Sequence, residues 1–151
     1  MSELKLVLLA EDSAKDVELT LAALQDSHLV NEVVVARDGA EAWEYLSCTG
    51  AHANRPPVAP AVVLLDLKMP KLDGHEVLRR MRADPNLRTV PVVILTSSRE
   101  ERDIAQSYDF GVNAYVVKPV AFSEFISAVK NLGMFWAVLN EPPPASARKA
   151  A

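Results

Sequence analysis

Five short apolar runs punctuate the chain, and stretches of helical period lie between them. Leu6 to Ala10 stops at Glu11-Asp12-Ser13, and Glu32 to Ala36 is a short Val-rich run. Val62 to Leu65 ends at Asp66, Val90 to Leu95 at Thr96-Ser97-Ser98, and Asn113 to Val117 at Lys118-Pro119. Continuous apolar runs of this length, rich in β-branched residues, read as strands buried on both faces, as in parallel sheets.

Each run is followed by a helix signal. Ser13 stands as an N-cap before Val17, Leu21 and Leu24, which recur at helical spacing to about Asp26. Asp38 caps a helix that turns Trp43 and Leu46 toward the core, and Asp73 caps one carrying Val77, Leu78 and Met81. Asp84-Pro85 ends the latter, because proline drives the preceding residue out of helical geometry. Glu100 to Tyr108 has few apolar positions and reads as a short, weakly held helix. The last helix runs from about Phe122 to Asn140, with Phe125, Val129, Leu132 and Trp136 on one stripe and Met134, Phe135 and Val138 off it. Apolar residues off the core stripe invite a partner surface. Thr49 to Pro60, with Gly50, Pro56, Pro57 and Pro60, suits an exposed loop without regular helix. Residues 141–151 carry no core pattern and read as a disordered tail.

The expected fold is therefore α/β: a five-stranded parallel sheet with helices on both faces, doubly wound in the flavodoxin-like manner. With 151 residues, one domain and no separate output domain are expected. The net charge of −4 argues against a general nucleic-acid binder, and Arg79, Arg80 and Arg82 read as a solvated helix face. Cys48 is the only cysteine, which rules out an internal disulfide and suits a cytoplasmic protein. The apolar start is too short to be a signal segment or to span a membrane.

Right-handed crossovers bring all the strand ends to one edge. Glu11, Asp12, Asp66, Thr96 and Lys118 then share a crevice. Carboxylates gathered this closely repel, so they need the lysine and a divalent cation, and oxygen-only ligands suit Mg²⁺. A carboxylate beside Mg²⁺ is a competent nucleophile toward a phosphoryl group. The lysine and the threonine hydroxyl would stabilise the charge on the transferring oxygens.

These residues resemble the receiver domain of two-component response regulators. The likeness spans about Leu4 to Leu139 and rests on Glu11-Asp12, Asp66 with Met69-Pro70 and Asp73-Gly74, Thr96, Tyr115, and Lys118-Pro119. It implies a receiver domain over residues 1–140 that acts as a phosphorylation-dependent switch and not as an enzyme with a separate substrate. Asp66 would accept the phosphoryl group from a sensor histidine kinase. Asp12, Asp66 and the Lys68 carbonyl would bind Mg²⁺, with Glu11 acting through water. Lys118, aimed by a cis bond before Pro119, would pair with the phosphoryl oxygens, while Thr96 and Tyr115 would switch. Lys68 and Ser98 would set the lifetime of the phosphoryl group. The Glu-Asp-Ser opening, the proline-containing loop, Lys118-Pro119-Val120 and Phe135-Trp136 are similar to the single-domain regulators paired with bacterial and cyanobacterial phytochrome kinases. That subgroup implies a homodimer through the last helix, at Met134, Phe135 and Val138. The alternative is a receiver-fold adaptor that is never phosphorylated, although neither the acceptor, the Thr nor the Lys is missing. A phosphatase with an Asp nucleophile would want a second acid where Lys68 stands, and an FMN phosphate would be repelled by Glu11-Asp12.

Overall fold

The computed structural model describes residues 6–27, 32–57 and 59–117. Its elements run β1 (Leu6–Ala10), α1 (Ala14–Ser27), β2 (Glu32–Ala36), α2 (Gly39–Ser47), β3 (Val62–Leu65), α3 (Gly74–Ala83), β4 (Val92–Thr96), α4 (Glu101–Asp109) and β5 (Ala114–Val117). The strands form one parallel sheet in the order β2-β1-β3-β4-β5. Alternate strand residues feed two cores. Leu8, Val63, Leu65 and Ile94 meet Leu46 of α2 and Val77, Leu78 and Met81 of α3 on one face. Val7, Leu9, Leu64, Val93 and Leu95 meet Val17 of α1 on the other. The five-stranded α/β expectation therefore holds, and the strand ends fall on one edge.

The capping signals are realised. Ser13 Oγ accepts from the Asp16 amide at 3.3 Å, Asp38 Oδ1 from that of Glu41 at 2.7 Å, and Asp73 Oδ1 from that of Glu76 at 2.9 Å. Leu46 is buried, whereas Trp43 is only half-buried against the core and lies beneath the Arg80 guanidinium. β4 begins at Val92, two residues later than expected. Pro91 has no amide to offer the ladder, and the Val90 amide is spent on the Leu87 carbonyl. The 49–60 segment contains one turn of 3-10 helix, Gly50–His52, because its prolines begin only at Pro56. Arg55 ties this segment to the end of α2 by donating from Nε to the Tyr45 carbonyl at 2.6 Å.

The arginines of α3 divide, correcting the expectation of a uniformly solvated face. Arg79 and Arg80 both pair with Glu76 on the solvent side. Arg82 turns the other way. Its Nε and Nη2 donate to the Gly111 carbonyl at 3.0 and 2.8 Å, and Nη1 to those of Arg88 and Val90 at 3.1 and 2.9 Å. Burial lowers its pKa. One guanidinium thus fastens the loops entering β4 and β5, at the rim opposite the strand ends.

Hydrogen bonds from Arg79 and Arg80 hold the Glu76 carboxyl at about 2. A depressed folded-state pKa gives stability that is present above the unfolded carboxyl range and lost as pH falls toward that value. The pair is solvent-screened, so Glu76→Gln is expected to cost only about 0.5 kcal/mol at neutral pH. The difference should vanish near pH 2, as read by thermal melts at both pH values.

No helix among the described residues is long and apolar enough to cross a membrane. Lys118, the bond before Pro119, the last helix with Met134, Phe135 and Val138, and the tail lie outside the described residues.

Candidate functional site

Adjacent strands β1 and β3 place two loops side by side, and the sheet ladder continues into both. The Glu11 amide donates to the Ala36 carbonyl at 2.9 Å, and the Asp66 amide to that of Ala10 at 3.0 Å. Backbone pairing therefore fixes where each acid starts. One oxygen from each of Glu11, Asp12 and Asp66 lies within 4.8 Å of the others. Glu11 and Asp66 are buried, while Asp12 is exposed at the mouth. Glu11 Oε2 accepts from the Ser13 amide at 3.1 Å, and Asp66 Oδ1 from the Leu67 amide at 2.7 Å, which fixes the rotation of both carboxylates. Clustered carboxylate oxygens, two of them buried, are the donor set of a hard divalent cation such as Mg²⁺ or Mn²⁺.

The loop from Asp66 to Gly74 is closely packed. The Gly74 amide donates to the Leu67 carbonyl at 2.8 Å, and a Cβ on Gly74 would sit 2.3 Å from the Asp66 carbonyl oxygen. Only glycine lets α3 begin against the backbone of Asp66. Lys68 is exposed above this loop.

Thr96 ends β4, the strand next to β3, and is 1% exposed. Its Oγ1 accepts from the Ser98 amide at 3.4 Å. Ser98 is a junction: its hydroxyl donates to Asp103 Oδ2 at 2.6 Å, and its carbonyl accepts from the Tyr115 hydroxyl at 3.0 Å. Burial is the main reason that the Tyr115 phenol is pushed up, with Asp103, Asp66 and Glu100 adding to it and the Ser98 hydrogen bond opposing it. Tyr115 therefore stays a neutral donor near the acids.

Sequence reasoning missed three residues of this network, Asp103, His75 and Ser107. Ser107 is fully buried in α4, and its hydroxyl donates to the Asp103 carbonyl at 2.8 Å while lying 2.8 Å from His75 Nε2. With its hydroxyl proton committed to that carbonyl, Ser107 must accept from the imidazole, so Nε2 carries a proton. The His75–Ser107 contact ties α4 to α3, and no local pattern marks it.

The structure thus gathers Glu11, Asp12 and Asp66 and links Thr96 to Tyr115 through Ser98. Val117 pairs with Thr96 at the end of β5, and Lys118, the next residue, lies outside the described residues.

A family model described as the response regulator receiver domain matches residues 7–130. Response regulator Rcp1 of Synechocystis sp. is 38% identical over 132 residues, covering 87% of this chain and 88% of that protein. The crystal structure of its Mn²⁺-bound form aligns with a TM-score of 0.86 at 36% identity, over 93% of this chain and 99% of that one. The phosphorylated cyanobacterial phytochrome response regulator RcpA aligns with a TM-score of 0.87 at 41% identity, over 94% of this chain and all (100%) of that one. The bacteriophytochrome response regulator AtBRR is 59% identical, with a TM-score of 0.74 over 93% of this chain and 100% of that one.

Proposed function

The chain belongs to the response regulator receiver domain family, and from that premise we propose that it is a cytoplasmic switch phosphorylated on Asp66 by a sensor histidine kinase. The observation that carries this reading is the convergence of Glu11, Asp12 and Asp66. An Asp66 carboxylate oxygen attacks the phosphorus of the kinase's phosphohistidine, the P–N bond breaks, and the imidazole leaves with the electron pair and takes up a proton. The product is a mixed anhydride. Asp12, Asp66 and the Lys68 carbonyl, with Glu11 acting through water, would hold Mg²⁺, which would supply charge neutralisation. Lys118 and the Thr96 hydroxyl would hold the phosphoryl oxygens. Moving Thr96 toward them would release the Ser98 amide and so disturb the loop that Tyr115 and Asp103 also grip. Phytochrome-linked relatives make a phytochrome kinase the favoured donor.

Acetyl phosphate with Mg²⁺ tests the chemistry. Wild type should gain a phosphoryl group that is labile to hydroxylamine, and EDTA should prevent it; a wild type that stays unlabelled would favour the adaptor reading. Lys68 and Ser98 are proposed to govern how long the group lasts. The exposed Lys68 ammonium can cover the phosphoryl oxygens, whereas the Ser98 hydroxyl is engaged by Asp103. Lys68→Ala is therefore expected to shorten the phosphoryl half-life by roughly threefold to tenfold, the scale of losing one charge-assisted contact, and Ser98→Ala to change it less. Decay of the labelled protein measures both. A homodimer through Met134, Phe135 and Val138 rests on the sequence and on the likeness to the phytochrome regulators. Sedimentation of wild type and Phe135→Glu should separate a dimer from a monomer.

A further inference from the structure

Between β2 and α2 the chain makes a tight turn that touches both acid-bearing loops while supplying no acid to the cluster. Its first residue, Ala36, accepts the Glu11 amide through its carbonyl. Its last, Gly39, opens α2 and lies against the loop that follows Asp66. The Gly39 amide points to the Pro70 carbonyl at 3.4 Å, and a Cβ on Gly39 would sit 1.6 Å from the Leu72 carbonyl oxygen and 2.8 Å from Leu72 Cβ. Between them the side chain of Asp38 reaches across, with Oδ2 3.5 Å from Lys71 Nζ.

Gly39 is not among the residues with positive φ, so close approach explains the glycine here. The loop it meets is under tension. Lys71 has φ of 69°, and the Leu72 amide closes onto the Pro70 carbonyl at 2.7 Å, a three-residue turn in the strained positive-φ form. Leu72 anchors the loop by packing against the core. On its other side Gly74 sits against the Asp66 backbone. The acceptor loop is thus held between the first residues of two helices, each a glycine because backbone lies where a Cβ would be.

We propose that Gly39 is a positioning residue for the metal and phosphoryl site, the turn after β2 setting the height of the 66–74 loop against the Glu11-Asp12 loop. This rests on the reading of the acid cluster as a metal-assisted phosphoryl acceptor. α2 is fixed to the core by the buried Ala42, Tyr45 and Leu46. A methyl at position 39 must therefore displace the loop, whose strained turn is the element that gives. The displacement moves Asp66 and the Lys68 carbonyl away from Asp12.

Gly39→Ala in the full chain distinguishes positioning from simple packing, since alanine is the better helix former and would strengthen α2 if space were free. The variant should remain folded by circular dichroism, bind Mn²⁺ about tenfold more weakly, as changes behind metal ligands commonly do, and take up phosphoryl from acetyl phosphate correspondingly more slowly at fixed Mg²⁺. Loss of the free Mn²⁺ signal in electron paramagnetic resonance reads the affinity without reference to activity, and Asp12→Asn shows that the titration reads this site. Leu72→Ala, which untethers the same loop, should also weaken Mn²⁺ binding. A folded Gly39→Ala with wild-type Mn²⁺ affinity overturns the proposal; if that variant does not fold, a Leu72→Ala with wild-type affinity overturns it instead. Wild type that binds Mn²⁺ yet takes no phosphoryl group sinks the acceptor reading and leaves the positioning role to the metal titration. Wild type that binds no Mn²⁺ ends both.

Discussion

Asp66→Asn should take no phosphoryl group from acetyl phosphate, the loss being at least on the order of a thousandfold, the scale on which removing a nucleophile acts. The amide is nearly isosteric and keeps an oxygen to accept the Leu67 amide, so the loop should keep its shape. Its nitrogen-bearing carbon is no longer a carboxylate, and no other acid in the cluster is held by the same short loop. Intact-mass measurement with and without Mg²⁺ checks the loss. The variant should also be as stable as wild type or more so, because one of three neighbouring like charges has gone. A fall in stability would mean that the Asp66 charge is structurally required, and uptake equal to wild type would place the acceptor elsewhere.

Arg82→Ala should destabilise the fold by about 2 kcal/mol, because it strips a charged donor from three carbonyls at once, that of Val90 partly buried. The carbonyls of Gly111, Arg88 and Val90 have no other donor of this reach in α3. Arg82→Lys should recover less than half of that loss, since an ammonium cannot serve as a planar fork to three separated acceptors. Arg79→Ala, on the solvent side, should leave stability close to that of wild type, because its ion pair is solvent-screened. Urea denaturation of the three variants makes the comparison. Equal losses for Arg79 and Arg82 would restore the picture of a uniformly solvated arginine face.

Much of the site is legible in one dimension because parallel strands alternate side chains between two cores and end where their apolar runs end. Asp66 and Thr96 could be placed by counting, as could the caps Ser13, Asp38 and Asp73. The turn chemistry was less visible. Asp38-Gly39 reads as a cap followed by a helix, and nothing in that dipeptide reports the Leu72 carbonyl beyond it. Arg82 was misjudged for a related reason: three arginines within four positions look alike until the 88–90 and 111–113 segments arrive beside only one of them. The His75-Ser107 contact likewise exists only once α3 and α4 lie together.

The fastening of α4 has a thermal consequence. Ser107 is the one buried residue of that helix, and side-chain hydrogen bonds tie the helix to Ser98 and to His75. Water can replace such bonds, and little apolar surface is uncovered when they part. The heat capacity of the protein should therefore hardly change when α4 shifts, because that quantity follows apolar exposure. A movement of this kind is nearly silent to calorimetry and keeps its energy balance over a wide range of temperature, a useful property for a signal that must mean the same thing on a cold day and a warm one.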